Sequence, residues 1–140
     1  MKVAQPLKAM LIIAGLIIAG IGGIILLWPV DYFATNGVDI TGSTSLLNEI
    51  RAPAGALLAA GILILAGAFI PQLTYTSTLI STLFYLAYGF ARMLSMAVDG
   101  QPTTSLVIVA VLEIGIGLVC LFAFLKYGAA YMSVMERKTV

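Results

Sequence analysis

No histidine occurs in this 140-residue chain. That absence removes bis-histidine haem ligation, histidine-ligated zinc, copper or iron, and Ser-His-Asp catalysis from what the chain can do alone. The single cysteine, Cys120, excludes an internal disulfide. It sits deep in an apolar run with no basic neighbour near it in sequence, so it reads as a packing residue rather than a reactive thiolate. Charge is also scarce: seven Lys/Arg and six Asp/Glu leave a net charge of +1, and no basic cluster is large enough to track a phosphate backbone. Nucleic acid is therefore not expected as a partner. No donor set suggests a metal or a cofactor.

What the chain has instead is apolar length. With 61% hydrophobic residues and a mean hydropathy of +1.12, it has too little polar surface to cover a water-soluble globule of its size. The expected surroundings are a lipid bilayer. Four apolar runs are long enough to cross one, at residues 7–28, 46–70, 74–98 and 103–127. Lys2 and Lys8 precede the first run as in a signal peptide. That run, however, exceeds an ordinary signal core and ends in Trp28-Pro29 without a small-x-small cleavage site, so a retained anchor is expected.

The fold read from this pattern is all-α: one domain over residues 1–140, a bundle of four transmembrane helices. Short connections at Pro71-Gln72-Leu73 and Asp99-Gly100-Gln101-Pro102 make the last three helices successive antiparallel neighbours. Lys2 and Lys8 flank one end of the bundle, and Lys126, Arg137 and Lys138 flank the same end, so both termini are expected in the cytoplasm. The Asp31–Ser45 connection carries Asp31 and Asp39 with no basic residue and falls outside. Its turn signals, Asn36-Gly37 and Thr41-Gly42, suit either a passive loop or a lid. Trp28, Tyr32 and Phe33 fit an outer aromatic belt, with Tyr127 and Tyr131 as the inner one. Small residues at four-residue spacing, Gly15-Ala19-Gly23 and Ala52-Ala56-Ala60, predict close helix contacts. Pro53 either starts the regular part of the second helix or kinks it, freeing the carbonyl of Glu49.

The third run carries a polar stripe stepping by three or four residues: Thr74, Thr78, Ser81, Tyr85, Tyr88, Arg92, Ser95 and Asp99. That spacing defines one helical face. A charge carried into hydrocarbon costs roughly 2.5–3.5 kcal/mol on insertion scales, so this face is expected against protein, trapped water or a ligand. At 1.5 Å per residue, Arg92 lies roughly 10 Å and Glu113 roughly 15 Å below the outer boundary, an offset their side chains can bridge. Glu49 and Arg51 stand in the first turns of the second helix on the same side.

Two explanations fit this gathering of Glu49, Arg51, Arg92, Asp99 and Glu113. In one, Arg92–Glu113 and Glu49–Arg51 or Arg51–Asp99 are ion pairs that fix helix packing, with Tyr88 and Ser95 completing the hydrogen bonding. In the other, the same residues line a cavity for an amphiphile such as a lipid or quinone-like molecule, with Tyr85 and Tyr88 as aromatic walls. Glu113 is the carboxyl placed to carry a proton where Arg92 does not reach it.

These residues also carry a resemblance. Glu49-Ile50-Arg51-Ala52, then Arg92-x-x-Ser95-x-x-x-Asp99-Gly100-x-Pro102, then Glu113, together resemble a bacterial family of small four-helix membrane proteins known as a domain of unknown function. The resemblance spans most of the chain and implies a four-helix fold in a bacterial inner membrane. It implies no reaction.

The function expected from the sequence is a non-enzymatic membrane protein. Its outer-half pocket, drawn from Glu49, Arg51, Tyr85, Tyr88, Arg92, Ser95, Asp99 and Glu113, binds an amphiphilic small molecule or docks a membrane partner, a second copy included. The rival reading is an accessory or assembly subunit of a larger complex, for which bundle faces rather than a pocket carry the function. A proton-coupled transporter needs oligomerisation to build a pathway, and no inverted repeat supports it. An enzyme restricted to Glu, Arg and Tyr for acid–base chemistry ranks last.

Overall fold

A computed structural model describes residues 3–136, with side chains as far as Gly128. Lys2, Arg137 and Lys138, which contribute to the orientation reading, and the ring of Tyr131 lie outside the described residues. Five helices follow one another: α1 (Gln5–Leu27), α2 (Pro29–Thr35), α3 (Thr44–Phe69), α4 (Thr74–Val98) and α5 (Thr104–Glu136). Among the described residues there is no strand. Four stretches, α1, α3, α4 and Thr104–Gly128 of α5, are long and apolar enough to cross a membrane. They agree with the four runs read from the sequence to within two residues at each end.

The helix ends have local causes. Trp28 leaves the helical region (φ −129°, ψ 59°) while its N–H still reaches the Ile24 carbonyl at 2.7 Å. Pro29, which has no N–H to lose, then opens α2. Ser43 caps α3, its Oγ accepting from the Leu46 N–H at 3.2 Å. Pro53 does not end α3, which runs through it. Gly37 (φ 75°) and Gly42 (φ 82°) make the left-handed turns that carry the chain from α2 to α3.

The helices form two tight pairs, α1 with α3 and α4 with α5. In the first pair a Cβ on Gly15 would lie 2.7 Å from Leu65 Cγ, and one on Gly22 would lie 2.5 Å from the Leu58 backbone nitrogen. One on Gly61 would meet the backbone of Ala19. The seam differs from the one expected from sequence. Gly23 faces open space, Ala52 and Ala56 are exposed, and the buried row on α3 is Ala54, Leu57, Gly61, Ile64 and Ala68, with Ala60 beside it. The reason is rotation: at 3.6 residues per turn a strict four-residue row drifts about 40° per step, so a contact line must alternate threes and fours. In the second pair Gly89 packs against Ile114 and Gly117 against Leu86.

The two pairs are joined at the end away from α2. There the Thr74 hydroxyl donates to the Gly67 carbonyl at 2.9 Å and Ser77 Oγ to the Leu63 carbonyl at 2.7 Å. Leu7, Leu11, Ile64, Cys120 and Ala123 fill the space between them. Thr78, Ser81 and Thr82 donate back to carbonyls of their own helix, which satisfies hydroxyls that would otherwise be costly in an apolar interior. Tyr85 closes this layer, its hydroxyl donating to the Ala14 carbonyl across the bundle at 2.9 Å. Tyr85→Phe is expected to cost about 0.5–1.5 kcal/mol of stability, the usual net worth of such a bond. A lowered unfolding midpoint in mixed micelles with unchanged helix content checks this. No change would mean that the hydroxyl does not join the pairs.

Candidate functional site

Beyond Tyr85, toward α2, the two pairs stand apart around a cavity of about 440 Å³. Its walls are mostly aliphatic. Ile17, Ile18, Ile21 and Ile25 come from α1, Ile50, Ala54 and Leu57 from α3, and Leu106, Val109, Leu112 and Ile116 from α5. Five aromatic rings are set among them: Phe84 and Tyr88 of α4, stacked with centroids 6.3 Å apart, Tyr85 between them in sequence, and Tyr32 and Phe33 of α2, edge to face at 5.5 Å. Three charged groups, Glu49, Arg92 and Glu113, complete the lining together with Asn36 and Pro53.

Arg92 and Glu113 form an ion pair across α4 and α5, Nε to Oε2 at 2.8 Å, with side chains 31% and 16% exposed. It is a charge-assisted hydrogen bond in a place largely shielded from water, so one partner strongly constrains the other. Tyr32 lies within electrostatic reach of both. Burial pushes its phenol above its ordinary pKa of 10.0, with the nearby Arg92 pulling the other way and Glu113 adding to the rise. The phenol therefore stays a hydrogen-bond donor throughout the physiological range. A further bond fixes α2 over the cavity: Thr103 Oγ1, at the start of α5, donates to the Asn36 carbonyl at 2.9 Å.

The sequence-derived candidates separate into two groups. Glu49, Tyr85, Tyr88, Arg92 and Glu113 line the cavity. Arg51, Ser95 and Asp99 do not. Arg51 is exposed and its Nε donates to the Leu26 carbonyl at 3.2 Å, so neither Glu49–Arg51 nor Arg51–Asp99 forms an ion pair. Two residues along a helix is a rotation of about 200°, which turns Arg51 away from the face that carries Glu49. Ser95 Oγ donates to Asp99 Oδ2 at 3.0 Å at the exposed end of α4.

Besides the aliphatic walls, sequence reasoning missed the aromatic lining residues of α2. Trp28 is 59% exposed, as an outer belt requires, but Tyr32 and Phe33 turn inward instead of joining it. The signal was present: proline at the first helical position with an acid two residues later, Pro29-x-Asp31, is a helix start. Phe84 was passed over because it lies beside the polar stripe. Among the described residues no group of three or more acidic or cysteine side chains is placed to hold a metal ion.

Residues 6–124 match a family model described as Domain of unknown function (DUF4345). The chain belongs to this family. The matched stretch takes in α2, the Arg92–Glu113 pair and every wall of the cavity, so the site of this DUF4345 chain lies wholly within the family domain. No curated protein and no solved structure matches the chain.

Proposed function

We propose that this chain is a multi-pass protein of a bacterial inner membrane, both termini cytoplasmic, that binds an amphiphilic small molecule in the cavity between its two helix pairs. The observation that carries the reading is a largely aliphatic cavity with a half-buried ion pair and tyrosine hydroxyls set into its wall. An apolar volume with a few convergent polar groups suits a ligand having a polar head and a hydrocarbon tail. Sidedness draws support from charge. Lys8 lies over the Phe69 ring at 4.7 Å and Lys126 over Tyr127 at 5.4 Å, both at the end away from α2, whereas Asp31, Asp39 and Asp99 cluster at the α2 end.

The ligand reaches the cavity from the bilayer. Ile17 is 36% and Leu112 57% exposed although both line it. They lie about 15 Å and 12 Å along α1 and α5 from the α2 end, within hydrocarbon depth, and α1 and α5 barely touch. The α2 helix covers the aqueous approach. A tail can thus remain between α1 and α5 while the head lies at the α2 end of the cavity.

Native mass spectrometry of the protein extracted in a neutral maltoside detergent tests the reading. A discrete added mass is expected on the wild type. A protein carrying no small molecule but a stoichiometric partner chain would replace this reading with that of an accessory subunit.

A further inference from the structure

The charge balance of the cavity says more about the head than that it is polar. This deepens the binding reading and rests on it. Among the described residues the one cation of the lining is Arg92, already engaged by Glu113 at 2.8 Å. Glu49 also lines the cavity, is exposed, and has no ion pair among the described residues. The uncompensated charge on the wall is therefore negative. Pro53, one turn further along α3 and also in the lining, has no N–H to offer the Glu49 carbonyl, which leaves a second acceptor on that side. The rings of Tyr32, Phe33, Phe84, Tyr85 and Tyr88 and the neutral amide of Asn36 also line the cavity.

We infer that the cavity selects amphiphiles with a cationic ammonium head. Aromatic faces attract an ammonium through their quadrupole, most strongly where water is excluded, and a carboxylate near such faces completes a cation site. A sulfate, phosphate or carboxylate head meets the opposite conditions. It would meet Arg92 already partly neutralised by Glu113 and would enter a lining whose net charge is negative. A neutral head gains neither term. The exposed position of Glu49 also explains how a charge can stand on this wall unpaired: it sits at the mouth, where headgroups and water solvate it until the ligand arrives.

The test uses three probes of equal tail length, hexadecylammonium, hexadecanol and hexadecyl sulfate. Each is added at the same mole fraction to the full chain in maltoside micelles, and the bound masses are counted by native mass spectrometry. The ammonium probe is expected to be retained at least about tenfold over the other two. Glu49→Gln, a change at an exposed residue that leaves the fold intact, is expected to erase most of that preference. Tyr88→Phe should keep it and Tyr88→Leu reduce it, because the ring and not the hydroxyl carries the attraction. Equal retention of all three probes, a preference for the sulfate, or an ammonium preference that survives Glu49→Gln would overturn the inference while leaving the binding cavity standing. Retention of none of the three would overturn both.

Discussion

Gly61→Ala is expected to be among the most damaging single changes in this protein, although it adds one methyl group and improves helix propensity. The new Cβ would fall on the backbone of Ala19, and a backbone cannot step aside as a side chain can. Overpacking of this kind costs about 1–3 kcal/mol, and with no rotamer to relieve it the upper part of that range applies. The intrinsic gain of about 1 kcal/mol from replacing a helical glycine offsets only part. Gly22→Ala should behave alike, its Cβ meeting the Leu58 nitrogen at 2.5 Å. Gly23→Ala, next in sequence and facing open space, should be neutral or mildly stabilising. Unfolding midpoints in mixed micelles, measured on the Gly22 and Gly23 variants side by side, decide the matter. Equal effects at the two positions would mean that the α1–α3 seam does not run where we place it.

A second large effect is expected at the ion pair, and it should be unequal for the two partners. Removing one member of a fully buried pair typically costs about 3–5 kcal/mol, because the other charge is left uncompensated. Here the side chains are 31% and 16% exposed, so partial solvation reduces the expected loss to about 1–3 kcal/mol. Arg92→Gln should be the costlier change. It strands the shorter and less exposed Glu113 side chain, whereas Glu113→Gln leaves an arginine whose long stem can carry its charge toward water. The double variant should recover part of the loss, since two amides can hydrogen-bond without a charge to solvate. A double-mutant cycle on unfolding free energies measures this directly. Strict additivity of the two single changes would show that the pair contributes no coupling. Retention of an ammonium ligand should fall in Glu113→Gln, which leaves the Arg92 charge unpaired in the wall.

The polar stripe shows where sequence reading reached and where it stopped. Period and composition put Thr74 to Asp99 on one face of α4, and the face is real. Its halves, however, do different things. Thr74, Thr78, Ser81 and Tyr85 are buried against neighbouring helices and satisfied by carbonyls, while Tyr88 and Arg92 border the cavity and Ser95 and Asp99 are exposed. Nothing in the spacing marks the boundary at Tyr85. It is set by where the α1–α3 pair parts from the α4–α5 pair, and that depends on contacts between residues as far apart as Ala14 and Tyr85. The charged residues divide for a related reason. Arg92 and Glu113 could be matched by depth alone, because two antiparallel helices joined by a short turn have a calculable register. Arg51 could not be placed that way, since its direction depends on how α3 is rotated against α1.

The sequence by itself determined that this is an all-helical protein without histidine chemistry, with four helices long and apolar enough to cross a membrane, and where along them each charge falls. Those properties follow from local quantities: hydropathy summed along the chain, a fixed rise per residue, and turns too short to allow other neighbours. Only the tertiary structure decided that the bundle splits into two pairs, that Gly22 and not Gly23 lies in the seam, that α2 turns its tyrosine and phenylalanine over the cavity, and that Glu49 is left without a cation. Each of those is a matter of helix rotation and of which surfaces interlock. A few tens of degrees change the answer there, and the energies that choose between rotations are close-packing terms spread over many residues rather than written in any one of them.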